Sequence, residues 1–503
     1  MELLMSLMTG FSGVISIKNI ALLTVFGLVG FLFGVMPGLN QTIAMSLLIP
    51  FTFSMDTVPA LCIVLGAYFA TNYGGGVTAI LLGIPGTPSA APTVLDGYPL
   101  AKQGKARKAV SMSIIASGVG ALFSALLMIS FTVPMAAFAL RFSSHEFFIL
   151  SLMGLSVVAG LSADNLFKGL VMAAVGLFMT SIGMDPISGS YRYVASFHLL
   201  EGVPFIPALI GLFAISEVFV MMTDKSAGMR LEKMSGEGVT RDDMKEVAVP
   251  VTIGSIIGFI VGMIPAAGPN IASFIAYGQA KRFSKKPGNF GKGELSGVAA
   301  PESANNAAAT AALVPALALG IPGSSGAAIF LGTLTLHGIS VGPMLFQKNP
   351  EIPGTIFAIS LIIIPILVLI GLKGSKFFAL VSLVPKDILA PVIIAVSTLG
   401  AYAVAGTMFG VWAAFFFGIV GYILRRFEYS ISSMVLALVL GRMMEINFRR
   451  AMLVSGGSLV SFVTRPSSVF LMLVTLLLFS ALPLMQMLTK KRNKKDAQMT
   501  YAP

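Results

Sequence analysis

The chain has 503 residues, of which 56% are hydrophobic and 11% charged, against about 25% charged in an average soluble domain. That composition excludes an ordinary soluble enzyme and implies a chain that crosses a membrane many times. The net charge of +12 is spread over short loops, which makes it a determinant of topology rather than a nucleic-acid surface.

The chain begins Met1-Glu2-Leu3-Leu4 without a basic n-region, so the first apolar run is expected to be a retained span. Gly30-Phe31-Leu32-Phe33-Gly34-Val35-Met36-Pro37 follows, then Ile43-Ala44 and Gly83-Ile84-Pro85-Gly86. Asp96-Gly97-Tyr98 is expected to form a turn. A basic cluster comes next, Lys102, Lys105, Arg107 and Lys108. Residues 109–133, 146–163, 166–183 and 205–222 read as four spans of about the ~20 residues that a bilayer needs, with Asp164-Asn165 as a cytoplasmic turn. The polar segment 224–246, with Lys225, Arg230, Lys233, Arg241 and Lys245, is the one substantial soluble loop. The first motif then recurs as Gly258-Phe259-Ile260-Val261-Gly262-Met263-Ile264-Pro265, followed by Ile271-Ala272. A second basic loop carries Lys281, Arg282, Lys285, Lys286 and Lys292, and the second motif recurs as Gly320-Ile321-Pro322-Gly323. His337-Gly338 also reads as a turn. The runs 353–372, 408–424 and 467–488 are further spans, with Arg425-Arg426 between the last two. The tail Lys490-Lys491-Arg492-Asn493-Lys494-Lys495 is expected to be cytoplasmic.

Glycine–proline breaks repeated inside apolar sequence point to helices that stop within the membrane. In the first copy the basic loop follows the second motif; in the second copy it follows the first. Equivalent loops thus have opposite charge character, as two inverted repeats would. The fold expected is an all-α polytopic membrane protein of about 10–14 membrane segments, some broken or re-entrant. The divisions expected are a first repeat at 1–108, connecting spans and loop at 109–246, a second repeat at 247–352, helical spans at 353–489 and a tail at 490–503.

Cys62 is the only cysteine, which removes a disulfide framework or cysteine metal site. His145, His198 and His337 lie too far apart for ligand spacing, and no Gly-x-x-x-x-Gly-Lys-Ser/Thr loop is present, so ATP hydrolysis by this chain is not expected.

Gly34-Val35-Met36-Pro37-Gly38, Tyr73-Gly74-Gly75-Gly76, Ile84-Pro85-Gly86 and Asp96-Gly97-Tyr98-Pro99-Leu100-Ala101 occur in order. They are followed by Pro301-Glu302-Ser303-Ala304-Asn305-Asn306-Ala307, Leu319-Gly320-Ile321-Pro322-Gly323, His337-Gly338, Gly342-Pro343, Gly441 through Glu445, Asn447, Arg449 and Arg465-Pro466. From about residue 20 to 468, this set resembles the large permease subunit of the tripartite tricarboxylate transporters. The resemblance implies a carboxylate importer of the bacterial inner membrane, not an enzyme, driven by an ion gradient. It also implies a small membrane subunit and a periplasmic solute-binding protein as partners, and no cofactor beyond a coupling Na⁺ or H⁺. The chain departs from the family's pattern at Pro265-Ala266, at Asn40 and Gln41, and at Arg442.

A carboxylate entering a membrane must exchange its hydration for donors, and free N–H groups at a helix N-terminus supply them along with a favourable dipole. The breaks offer Gly38, Asn40 and Thr42; Gly86, Thr87 and Ser89; Asn270 and Ser273; and Gly323, Ser324 and Ser325 as substrate-binding groups. Their amides and hydroxyls can donate or accept, although serine and threonine hydroxyls also commonly bond back to helix carbonyls. Asn305, Asn306 and Glu302 are candidates for the coupling ion. Glu302 has an alternative role, complementing the dipole of a helix started by Pro301. Glu445 and Arg449, four apart, are expected to pair within a helix, the alternative being an anion contact by Arg449 or Arg450. Two other functions fit parts of the sequence. A passive channel can also be built from broken helices. Gly323-Ser324-Ser325-Gly326 matches an intramembrane serine protease motif with His337 as base, but that reading leaves the duplication unexplained.

Overall fold

The computed structural model describes residues 2–161, 166–223, 231–265 and 267–480. Asp164-Asn165, Ala266, Lys225 and Arg230 of the polar segment, and the tail beyond residue 480 lie outside the described residues. Among those described, nine helices are long and apolar enough to cross a membrane, and the only sheet is a two-stranded hairpin, Gly183–Met184 with Tyr191–Arg192. The chain is an all-α polytopic membrane protein.

Two compact units form, one from Met1–Leu140 with Pro204–Ile423, the other from Arg141–Val203 with Leu424–Pro503. The first contains α1 (Glu2–Val14), α2 (Ile17–Val35), α3 (Gln41–Thr52), α4 (Thr57–Leu81), α5 (Ala91–Leu100) and α6 (Ala106–Ala139). The α7 (Ser144–Leu161) and α8 (Leu166–Thr180) helices belong to the second unit, and the chain returns to the first with α9 (Phe205–Thr223). Then come α10 (Arg241–Met263), α11 (Gly268–Phe283), α12 (Ser296–Ala311), α13 (Leu313–Leu319), α14 (Ser325–Leu336), α15 (Glu351–Val381), α16 (Lys386–Ala405) and α17 (Met408–Arg426). α18 (Ile431–Val454) packs on α7 and α8 in the second unit.

The glycines of the first motif explain how the first unit packs. A Cβ on Gly30 or Gly34 would collide with the α4 backbone at Ala67 or Thr71, and one on Gly258 or Gly262 would collide with α12 at Ala304 or Ala308. Small residues four apart let two helix backbones touch, which is how helices associate where no hydrophobic effect drives them together. These approaches advance in step along both chains, so α2 runs parallel to α4 and α10 parallel to α12. Between α4 and α12 the contacts reverse: the Tyr68 hydroxyl donates to the Ala309 carbonyl at 2.6 Å, whereas Gly76 faces Glu302. Those two helices are antiparallel. α6 packs on α12, and α15 packs on α4.

Local signals set the helix ends. Asn40 and Ser324 cap α3 and α14, accepting from the N–H groups of Ile43 and Ala327, each at 3.1 Å. Thr240 and Asp243 form a capping box at α10, inside the segment expected as loop. Asp96-Gly97-Tyr98 is not a turn but part of α5, its Asp96 side chain fully buried. Pro301 is the sixth residue of α12 rather than its start, so Glu302 does not sit at the helix N-terminus. His337 caps α14 and Gly338 turns the chain at φ +72°.

Candidate functional site

After α4 ends, residues 82–87 turn back, and the Gly86 N–H donates to the Gly75 carbonyl at 3.3 Å. After α13 the chain does the same, the Gly323 N–H donating to the Ala312 carbonyl at 3.3 Å. Both glycines press on the other motif of their own copy: a Cβ on Gly86 would meet the Gly34 carbonyl, and one on Gly323 the Gly262 carbonyl. Each copy therefore brings its two breaks together. The copies are also joined to each other. The Gln41 side chain lies against Gly326, and its amide donates to the Tyr68 carbonyl at 2.6 Å. α11 packs on the short turn Pro88–Ala90.

The result is a convergence of helix ends. α3 and α14 lie together from their N-termini at the breaks to their C-termini, where His337 Nε2 meets Thr52 Oγ1 at 3.3 Å. α5 and α11 lead away from the breaks in the other direction, and the Tyr277 hydroxyl donates to Asp96 at 2.9 Å near their far ends. Gly326 beside Gln41 joins the starts of α3 and α14, Gly268 beside Ser324 brings in the start of α11, and the Pro88–Ala90 turn on which α11 packs leads into α5, so the positive ends of these helix dipoles gather in the interior of the first unit.

The structure places the candidate substrate residues around this meeting point in different states. Thr42, Thr87, Ser89 and Ser324 are buried, Asn40 and Ser325 half-buried, and Gly38 and Asn270 exposed. Gly38 adopts φ +91°, which a side chain would resist, and faces the Glu217 carboxylate. Thr87 and Ser89 share a hydrogen bond of 3.1 Å. The Ser273 hydroxyl donates to the Asn270 carbonyl at 3.0 Å, the inward helix bond that the sequence left open for such residues. Ser325 begins α14, while His337, its supposed catalytic base, is at the far end of that helix and bonded to Thr52. No protease constellation is assembled there.

The ion-coupling candidates lie along α12. Glu302 is fully buried and accepts from the hydroxyls of Thr93 on α5 at 2.6 Å and Ser117 on α6 at 3.3 Å. Among the described residues no lysine, arginine or histidine pairs with it. Asn306 donates to the Glu302 carbonyl at 3.2 Å. Asn305 is 0% exposed with neither side-chain atom hydrogen-bonded. An orphaned amide in a protein interior is uncommon.

Sequence reasoning singled out Gln41 only as a departure from the family's pattern, and missed Tyr68, Thr93 and Tyr277, because each acts across elements far apart in the chain. It also missed the partner of Arg449. That residue is 3.7 Å from Glu445 as expected, but binds Asp185 more closely, while Glu445 pairs with Arg192 at 2.5 Å. Arg449 is engaged by acids of its own unit rather than free for an anion.

Comparison with known proteins agrees with this architecture. The family model described as "Tripartite tricarboxylate transporter TctA family" matches residues 20–436. The chain is 34% identical over 498 residues to an uncharacterized 52.8 kDa protein in the TAR-I ttuC' 3' region of Agrobacterium vitis, covering 99% of this chain and 98% of that one. It is 35% identical over 239 residues to an uncharacterized protein in the TAR-II ttuC' 3' region of the same organism, covering 48% of this chain and 97% of that one. No solved structure matches. Broken helices packed by paired glycines, and a match over most of the length, lead to one conclusion: the chain belongs to the tripartite tricarboxylate transporter TctA family.

Proposed function

We propose that this chain is the membrane carrier of a system importing di- or tricarboxylates across the bacterial inner membrane. It draws on a Na⁺ or H⁺ gradient and receives solute from a periplasmic binding protein beside a small membrane subunit. The observation that carries the reading is the gathering of the starts of α3, α11 and α14, with the Pro88–Ala90 turn that leads into α5, within the first unit. A carboxylate lodged there exchanges water for backbone N–H groups, no lysine or arginine being buried among the described residues. Asn40, Thr42, Thr87, Ser89, Ser324 and Ser325 add amide and hydroxyl donors, and the glycines Gly38, Gly86 and Gly323 let backbone come close. Asn270 and Ser273 complete the set on α11. Glu302, Asn305 and Asn306 serve the coupling ion, Asn305 supplying an amide with no competing partner.

Two inverted repeats are the simplest source of this arrangement. Equivalent glycines make equivalent contacts in both copies, and α4 crosses α12 in the opposite sense. Motion of the hairpins past the remaining helices would then expose the site to each side in turn.

Reconstitution in proteoliposomes tests the proposal. Labelled citrate or another di- or tricarboxylate, presented with the binding protein and small subunit, should accumulate above equilibration when an inward Na⁺ or H⁺ gradient is imposed. Flux that never exceeds equilibration under any gradient would identify a passive channel instead.

A further inference from the structure

The two ends of the helix convergence are fastened very differently. On the side of the basic loops, Asp96 of α5 is fully buried. Its Oδ1 accepts from the backbone N–H groups of Gly291 at 2.8 Å, Gly293 at 2.9 Å and Glu294 at 2.8 Å, and its Oδ2 from the Tyr277 hydroxyl at 2.9 Å. Gly291 and Gly293 hold φ values of +86° and +104°, which turn successive N–H groups toward one point, a backbone nest for an anion. All these donors lie on α11 or on the loop that leads from it to α12. One turn earlier on the same face of α5, Thr93 donates to Glu302 of α12.

The surrounding loops are stitched in the same way. Gln103 donates to the Lys292 carbonyl at 2.7 Å. The Glu232 N–H donates to the Leu81 carbonyl and the Arg107 N–H to the Ser235 carbonyl, both at 3.0 Å. Lys108 pairs with Asp243 at 2.9 Å. On the opposite side, the ends of α3 and α14 meet through a single contact between His337 and Thr52 atoms 3.3 Å apart.

We infer that Asp96 is the bolt of a gate on the basic-loop side: it holds α11 and the 291–294 loop shut against α5, and transport requires its release. Asp96 is thus a positioning residue that does not touch the solute. Four donors on one buried carboxylate are strong because they are charge-assisted. They are also reversible: a shift of α11 away from α5 returns the carboxylate and the N–H groups to water together. The proposal rests on the carrier reading above, and its test keeps the two apart.

The full chain is used in membrane vesicles with Cys62→Ala, which removes its single cysteine. Ala280, 1% exposed beneath Phe290 and Tyr277, becomes the reporter as Ala280→Cys. Leu334→Cys, buried on α14, reports on the other side. A membrane-impermeant maleimide should label Ala280→Cys from the basic-loop side about tenfold faster when Asp96→Asn is added, and less so with Tyr277→Phe. Labelling of Leu334→Cys should not change. Gradient-driven uptake should fall in maximal rate with little change in half-saturation, since the solute contacts remain. Unchanged Ala280→Cys labelling in both variants, or faster labelling of both reporters, would overturn the proposal and leave Asp96 as a general fold-stabilising group. If the unaltered chain carries no carboxylate, the carrier reading fails, whereas the labelling difference still decides the gate.

Discussion

Thr93 shows how much a single hydroxyl carries in this interior. Its donation to Glu302 at 2.6 Å is the shortest polar contact of a carboxylate with no exposed surface. Thr93→Val keeps the shape but removes the donor, and leaving a buried polar group without its partner costs about 1–3 kcal/mol. A lower melting temperature and slower uptake are expected, with both restored by Thr93→Ser. Thr93 was invisible in the sequence because its partner is 209 positions away, and an isolated threonine in apolar sequence carries no signal. Asp96 was visible as an acid but was read as a turn residue, since Asp-Gly-Tyr-Pro has the composition of one. Burial against a nest supplied by residues 291–294 prevailed over that local preference. Glu302, Asn305 and Asn306 were legible for a different reason: polar groups amid alanines in a membrane chain are costly enough to need a purpose.

At the scale of elements, the repeated glycines have two functions, of which the sequence emphasised one. They were read as the places where helices break, and α2 and α10 do end just beyond Gly34 and Gly262. The same residues are also the surfaces where α2 meets α4 and α10 meets α12. Gly34→Ala or Gly262→Ala should therefore overpack a backbone contact and destabilise the protein by about 1–3 kcal/mol. Gly278→Ala makes the control. It lies exposed within α11 with no atom near its missing Cβ, so gain of helix propensity should leave it neutral or more stable by up to about 1 kcal/mol. Thermal unfolding in detergent distinguishes the three. The span at 205–222 was readable from hydropathy, whereas the short helices α3 and α14 were not. Their 12-residue lengths are too small to cross a bilayer, and only the matched breaks gave them away.

For the molecule as a whole, the second unit provides a pH signature independent of the candidate site. Arg449 beside Asp185, aided by the N–H groups of Ile187 and Ser188, holds that carboxyl well below the usual carboxylate range. A depressed folded value stabilises the protein above the unfolded value of about 3.9 and ceases to do so as pH falls toward the folded one. The melting temperature of Asp185→Asn should accordingly lie below that of the native chain at pH 6–7, and the gap should close as the pH drops below about 4. The fold class was legible throughout, because the composition permits little else. The pairing of Asp185 with Arg449 was not, because the two residues lie 264 positions apart.

One consequence of the converging helix ends concerns voltage. A helix dipole has two ends and no net charge, so under the proposed function these termini ease the lodging of an anion without cancelling it. Bringing each negative charge into an inside-negative cell costs about 2.3 kcal/mol per 100 mV. In the carrier we propose, that work falls on the accompanying monovalent cations: a dianion travelling with two of them crosses electrically silent, and only a third makes the membrane potential help.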